Sequence, residues 1–431
     1  MSTSGHPHPT FREAFWFWLK LGFISFGGPA GQIAIMHDEI VERKKWIAEG
    51  RFLNALNYCM LLPGPEAQEL ATYLGWLLHG TWGGLTAGIL FILPSAILLW
   101  GLSLVFVLYG NVPTLVTLFY GLKIAVLALV SSAVLRIGTR VLKSPILWCI
   151  AAASFISLIF FRISFPLVIE GAALTGFVGG WLQPSAFRQQ EGDEVLPQKK
   201  LIPLPSFYRT GWTFLICITL WLMPPFIIGW SYEDGPILAE LGMFFSRAAL
   251  FTFGGAYAIL PYVANQAVEH YHWLTADQMM SGMALAETTP GPLIIVLQFV
   301  GFMAGWSKPG IFSPIIAASL GACLTTWCTF APSFLYVFVG GPYVENLRGH
   351  LRLSHVLSSV TAAIVGVVLG LAVWFGKNLL LPNPYTFDFF AGSLALVMFC
   401  GIVWKKWNSL AVIAACGILT SVWQLVTTSL A

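Results

Sequence analysis

Charge is what this chain has least of: 22 Lys and Arg and 19 Asp and Glu among 431 residues, 10% of the total, against 57% hydrophobic residues. That excludes a water-soluble particle, because too few polar side chains remain to cover one of this size. A formal net charge of only +3 supplies no basic surface, so no nucleic acid is expected as a partner. The seven cysteines form no Cys-x-x-Cys and all lie within apolar stretches, so they read as small packing residues rather than redox or metal groups. Flavin, dinucleotide and haem fingerprints are missing, as are metal-spaced Cys/His clusters. No enzyme activity, cofactor or metal is therefore expected. His270 and His272, two residues apart in a loop, are thin support for a metal site and read as interfacial. The tail Met1 to Thr10 is too polar for a signal peptide and no small-residue cleavage site follows, so it is expected to be retained.

What the chain has instead is apolar sequence in membrane-length stretches, and it reads as an all-α polytopic membrane protein. Six stretches run Phe11 to Met36, Phe52 to Leu78, Thr81 to Tyr109, Val112 to Leu135, Ile146 to Phe161 and Phe165 to Leu182. After the polar, proline-rich segment Gln183 to Ser206 come Trp212 to Trp230, Ile237 to Val263, Met279 to Ala304, Ile311 to Val339, Val356 to Phe375, Phe387 to Trp404 and Leu410 to Val426.

An internal duplication organises them. Phe-Gly-Gly stands at 26–28 and at 253–255, and Pro-Gly-Pro at 63–65 and at 290–292, so the offset is 227 in both cases (253−26, 290−63). Trp46 and Trp273 keep that offset, as do Val41 with Val268 and Glu42 with Glu269. Across residues 26–65 and 253–292 nine positions are identical, and six of the nine belong to the glycine and proline motifs. A repeat that drifts everywhere except at its helix breakers points to the breakers as functional. The plan is six stretches, one, then six: a first repeat over 11–182, a cytoplasmic linker over 183–206, a connecting transmembrane helix and loop over 207–236, and a second repeat over 237–427. One odd crossing between two copies inverts the second relative to the first, as in many secondary transporters.

Lys and Arg collect in Arg136 to Lys143, in the linker, in Arg348 to Arg352 and at Lys405 and Lys406. With a cytoplasmic N-terminus these all fall on the inner side. One loop objects, since Arg43, Lys44, Lys45 and Arg51 would lie outside while the matching loop Val263 to Asp277 has no Lys or Arg. Both anomalies vanish if the first two stretches of each repeat are re-entrant hairpins folded back at their Gly-Gly or Pro-Gly-Pro breaks.

The breaks have a use. Proline at 63, 65, 290 and 292 removes backbone donors, and the glycines Gly27, Gly28, Gly64, Gly254, Gly255 and Gly291 admit turns closed to other residues. A broken helix presents the free N–H groups of its second half, with their partial positive charge, to whatever sits at the break. Pro29, Pro65 and Pro292 are placed for the first turn of such a half-helix. Four breaks meeting near the midplane would bind an anion. Lys20 and Arg247, matched at the same offset of 227, fit anion attraction, or else snorkel to the interface. Ser25, Thr252, Thr288 and Thr289 offer hydroxyls near the breaks, or serve as helix caps. Glu66 and Glu287 stand at the Pro-Gly-Pro motifs; a carboxylate there repels an anion when ionised, so carrying a proton is its natural use, and a structural role is the alternative. Glu170 lies near no break and reads as structural.

Taken together, Phe-Gly-Gly-Pro (Phe26 to Pro29), Leu-Leu-Pro-Gly-Pro-Glu (Leu61 to Glu66), Phe-Thr-Phe-Gly-Gly (Phe251 to Gly255) and Ala-Glu-Thr-Thr-Pro-Gly-Pro (Ala286 to Pro292) resemble the long, two-domain bacterial chromate transporters. The resemblance covers nearly the whole chain. It implies a multi-pass protein of the bacterial plasma (inner) membrane that exports chromate, confers resistance and is coupled to the proton motive force. Its partners would be a chromate or sulfate-like oxyanion, protons and membrane lipid, and a homodimer is compatible with it. The second Gly-Gly is followed by Ala256 where the first has Pro29. Sulfate or another oxyanion as substrate, and a passive anion channel, remain the alternatives.

Overall fold

The computed structural model describes residues 8–26, 28–182, 206–231, 236–346, 351–381 and 386–430. Most of the linker (183–205), the loop at 232–235, residues 347–350 and Gly27 lie outside them. The fold is all-α, and seven of its helices are long and apolar enough to cross a membrane.

The thirteen apolar stretches do not become thirteen helices, because the breakers divide four of them. Phe11 to Met36 forms α1 (Phe11–Ile24) and α2 (Gly28–His37). Phe52 to Leu78 divides at Pro-Gly-Pro into α3 (Glu49–Cys59) and the start of α4 (Glu66–Tyr109). In the second copy the corresponding pieces are α9 (Pro236–Leu250), α10 (Ala256–Asn265), α11 (Ala276–Thr288) and α12 (Val296–Ser307), the last entered through a 3-10 turn at Leu293–Ile295. The other stretches keep single helices: α5 (Pro113–Val141), α6 (Pro145–Ile159), α7 (Phe165–Leu182), α8 (Phe207–Ser231), α13 (Pro314–Gly340), α14 (Leu351–Leu380), α15 (Phe389–Lys405) and α16 (Ser409–Leu430). Those long enough to span are α4, α5, α7, α8, α13, α14 and α16, whereas α6, α12 and α15 are shorter. Within α4 the backbone leaves helical geometry at His79 and Gly80, where Gly80 has φ 62°. This kink separates the two apolar stretches read from the sequence.

Helix starts follow local chemistry. Thr10 and Glu13 form a reciprocal cap on α1, and Thr275 and Gln278 do the same for α11. Pro113, Pro145 and Pro314 occupy first turns, where a missing N–H costs nothing.

The two copies are interlocked rather than side by side. Helix α14 of the second packs on α5, α6 and α7 of the first, and α13 packs on α4. Small residues permit the closest approaches: a Cβ at Gly301 on α12 would stand 2.6 Å from the Gly321 carbonyl on α13. The outer surface carries large apolar side chains, among them Trp82, Trp181, Phe207 and Trp404, each 75% or more exposed. Helix α8 leaves nearly all of its apolar side chains at least partly uncovered by the rest of the protein. Such a surface suits lipid and not water.

Candidate functional site

The duplication extends to individual backbone hydrogen bonds. Helices α1 and α9 lead into turns closed by Phe26 N–H to the Ile24 carbonyl (3.0 Å) and Phe253 N–H to the Phe251 carbonyl (2.9 Å). The next helix begins after a glycine with positive φ, at Gly28 (74°) and Gly255 (87°). Both copies then pass through a π-helical turn, Asp38–Arg43 and Gln266–His270. Positive φ follows at Lys45 (52°) and His272 (51°). The Trp46 N–H bonds the Ile40 carbonyl at 2.9 Å, and the Trp273 N–H bonds the Ala267 carbonyl at 2.8 Å. Each of these pairs is offset by about one copy, so the shared geometry outlasts the shared sequence.

The breaks of one copy dock on the breaks of the other. Gly64 N–H donates to the Thr252 carbonyl at 2.8 Å, and Gly291 N–H donates to the Ser25 carbonyl at 2.7 Å. Because 252−25 and 291−64 both equal 227, this is one contact made twice with the copies exchanged, the signature of a two-fold relation. The Gln32 side-chain amide reinforces one arm, donating to the Gly291 carbonyl at 2.6 Å and to the Ser25 carbonyl at 3.3 Å.

A small, partly open pocket lies where these elements meet. Its walls are largely repeat equivalents: Pro29 with Ala256, Pro65 with Pro292, Glu66 with Leu293 and Ala67 with Ile294, together with Gln32 and Gly255. Three helix beginnings border it at Glu66, Ala256 and Leu293, and none has a side-chain cap. Uncapped N-termini carry unpaired N–H groups and partial positive charge, so the pocket is suited to an anion. Its titratable group is Glu66, from the first copy; the second copy places Leu293 there. Gln32 is likewise matched by apolar Ile259.

The other residues singled out by sequence fall into distinct places. Pro65, Glu66, Gly255 and Pro292 line the pocket. Gly64 and Gly291 form the clamp with their N–H groups, so those two donors face protein carbonyls. Pro63 and Pro290 lead into the clamp, Gly28 opens α2, Gly254 is exposed, and Gly27 lies outside the described residues. The four hydroxyls turn back on their own helices: Ser25 to the Leu21 carbonyl (2.6 Å), Thr252 to Ala248 (2.9 Å), Thr288 to Leu285 (2.7 Å) and Thr289 to Ala286 (2.8 Å). Lys20 and Arg247 are exposed and do not line the pocket, and Arg247 lies against the Met243 sulfur at 3.3 Å. Glu287 accepts a hydrogen bond from the Tyr257 hydroxyl at 2.5 Å. The first copy has Met60 and Ala30 at the equivalent positions.

Sequence reasoning missed several groups here. Glu69, one turn beyond Glu66, is fully buried. Arg140 and Arg136, read as cytoplasmic loop charges, lie within α5, and their charge reaches Glu66 and Glu287 respectively. Lys123, in the middle of α5, pairs with Asp277 at the start of α11. A spacing of three between Glu66 and Glu69 was the available signal for the first of these. Among the described residues no group of three or more His, Cys, Asp or Glu is arranged to hold a metal. The seven cysteines are unpaired, with Cys59, Cys328 and Cys416 buried and Cys149 and Cys323 exposed.

The chain has relatives among known proteins. A family model described as chromate transporter matches residues 12–177 and 239–421. The chain is 28% identical to the chromate transport protein of Cupriavidus metallidurans over 388 residues, covering 88% of this chain and 87% of that one. It is 31% identical to the chromate transport protein of Pseudomonas aeruginosa over 372 residues, 85% of this chain and 82% of that one. An uncharacterized transporter of Methanocaldococcus jannaschii is 25% identical over 85% of both chains. No solved structure matches.

Proposed function

This chain belongs to the chromate transporter family, and from that premise we propose that it exports chromate across the bacterial plasma membrane, coupled to the proton motive force. The observation that carries the reading is the meeting of uncapped helix starts from both copies around one pocket that also holds a carboxyl group, Glu66. N–H groups attract the dianion, and a proton on Glu66 removes the repulsion that an ionised carboxylate would exert. Glu287, held by Tyr257, is the second coupling group. In this reading Pro65, Gly255 and Pro292 shape the binding surface, while Gly64, Gly291, Ser25 and Thr252 hold it together. Lys20 and Arg247 act as interfacial anchors. Arg136 and Arg140 draw the anion in from the cytoplasm.

The transmembrane arrangement we propose is two inverted repeats whose first two stretches are re-entrant, with a cytoplasmic N-terminus. Helix lengths support it: 14 residues in α1 and 10 in α2 extend about 21 and 15 Å at 1.5 Å per residue. Neither crosses a core of about 30 Å alone. Helix α8 leaves its apolar surface to lipid, or to a second copy in a homodimer.

Sulfate, another tetrahedral dianion, is the alternative substrate. A passive channel would need no titratable group, and Glu66 in the pocket favours a coupled carrier. Purified protein in vesicles, given labelled chromate or sulfate under imposed pH and potential gradients, tests the proposal. Gradient-dependent chromate movement that excess sulfate does not abolish is expected. Flux indifferent to the pH gradient at every potential would make it a channel.

A further inference from the structure

Behind the pocket lies a second carboxyl group that the reading above leaves without a task. Glu69 is 0% exposed, and neither of its oxygens has a hydrogen-bond partner. Its surroundings are unpaired too: the Ser333 hydroxyl, on a residue 1% exposed, and the Tyr336 hydroxyl have no partner. The Glu69 carboxyl and the Ser333 hydroxyl converge on the bare face of Gly64. A Cβ there would stand 3.0 Å from the Glu69 carboxyl carbon, 3.1 Å from Ser333 Oγ, and closer still to Glu69 Oε1. In the second copy the corresponding face of Gly291 is filled by Ser95, and Val296 replaces Glu69. The carboxyl is thus an addition to a frame that is complete without it.

An ionised carboxylate sealed from water, with at most the Ser333 hydroxyl at hand to donate to it, is among the most unfavourable arrangements a protein can hold. A neutral carboxylic acid is not, and its O–H has an acceptor at hand in Ser333. No basic group stands among the titratable neighbours whose charge bears on Glu69 itself, namely Glu66 on α4, Tyr58 and Cys59 on α3, and Tyr336 on α13; Arg140 on α5 bears on Glu66. The charged residues of α1, namely Arg12, Glu13 and Lys20, are exposed, α2 offers only His37 at its end, and α12 carries none. From α11, Glu287 is engaged by Tyr257. Glu66 and Glu69, three apart in the first turn of α4, lie on one helical face, the first at the pocket and the second behind it.

We propose that Glu69 is a buried proton-binding site in series with Glu66, paired with Ser333 in the space that Gly64 leaves open. The two carboxyls share one proton: the O–H bond of Glu69 breaks and one forms on the Glu66 carboxylate, which admits the dianion; the reverse transfer re-forms the Glu69 O–H and leaves Glu66 as the anion. Its restored charge repels the bound dianion, and return of the proton readies the pocket again. This rests on the proton-coupled reading of the pocket, but its test need not.

Infrared difference spectra of the purified protein, titrated in deuterated buffer without chromate, should show a protonated-carboxyl stretch that Glu69→Gln removes and Ser333→Ala shifts in frequency. In vesicles, Glu69→Gln should keep chromate-for-chromate exchange within about twofold of wild type while losing at least tenfold of the acceleration given by a pH gradient. A spectrum unchanged by both substitutions, a Glu69→Gln protein that still follows the pH gradient, or wild-type flux driven by Na⁺ in its place, would each overturn the proposal. If Glu69→Gln is not recovered folded, the Ser333→Ala shift decides alone. Failure of the wild type to move chromate would count against the substrate and leave the infrared result standing.

Discussion

Replacing Gly291 with alanine tests the crosswise clamp with the greatest leverage, because two separable penalties meet at that position. The first is conformational: Gly291 has φ 101°, a region that residues with a Cβ rarely enter, at about 1–3 kcal/mol. The second is packing, since the new Cβ would stand 2.7 Å from Ser95 Oγ and 2.8 Å from Ser95 Cβ, and overpacking of this kind costs about 1–3 kcal/mol. Together they amount to roughly 2–6 kcal/mol, which lowers the population of the clamped arrangement by at least tenfold. Ser95→Gly removes both contacting atoms but leaves the dihedral strain. Made alone it weakens α4 by about 1 kcal/mol, as glycine does inside a helix. In the double variant it should recover about 1–3 kcal/mol, a coupling that neither single substitution contains. Thermal unfolding in detergent and initial rates of chromate uptake, measured on all four proteins, supply the cycle. Additive effects, or a Gly291→Ala protein with wild-type unfolding and uptake, would refute the reasoning and reduce the clamp to a coincidence of two turns.

Four further outcomes are expected. Cysteine at Glu49 should be shielded from an impermeant thiol reagent outside intact cells and cysteine at Ala276 labelled; the reverse pattern restores full crossings in place of hairpins. Lys20→Gln and Arg247→Gln should leave apparent chromate affinity within about twofold, as exposed charges do, and a tenfold loss in uptake assays would return them to the binding site. Glu66→Gln should make chromate binding independent of pH and tighter in alkaline buffer, because one charge against a nearby dianion in a partly dehydrated site is worth on the order of several kcal/mol. Glu287→Gln, which does not line the pocket and keeps an acceptor for Tyr257, should spare binding and lose dependence of uptake on the pH gradient.

The frame of this site was legible in the sequence because helix breakers are local. Gly-Gly and Pro-Gly-Pro announce where backbone must leave the helix, and their shared offset of 227 announces that it does so twice. Apolar length was less informative. Phe52 to Leu78 reads as one crossing by hydropathy, yet Pro63 and Pro65 divide it, since proline ends a helix regardless of how apolar its neighbours are. Side-chain direction was not legible at all. Ser25 and Thr252 lie beside the breaks, but their hydroxyls return to carbonyls four residues back, a choice set by helix geometry that spacing alone does not reveal. Lys20 and Arg247 keep the repeat offset for the same reason: matched positions on matched helices face alike, and here both face outward. Glu69 was passed over because its burial behind Gly64 depends on α13, which lies more than 200 residues further along.

The symmetry itself sharpens which residues can set direction. In an ideal inverted repeat the inward-open and outward-open states differ only by exchanging the conformations of the two copies, so matched residues contribute equally to both and favour neither. The clamp bonds of Gly64 and Gly291 are of this kind. Any bias between the states must come from positions where the copies differ. Around the pocket the mismatches that involve a polar side chain are Gln32 against Ile259, Glu66 against Leu293 and Glu69 against Val296 on one side, and Tyr257 against Ala30 and Glu287 against Met60 on the other. All the carboxyl groups at the breaks belong to that short set of mismatches. A proton that changes the charge of one of them therefore changes the energy of one state relative to the other, which is what a ligand must do to move a two-state equilibrium.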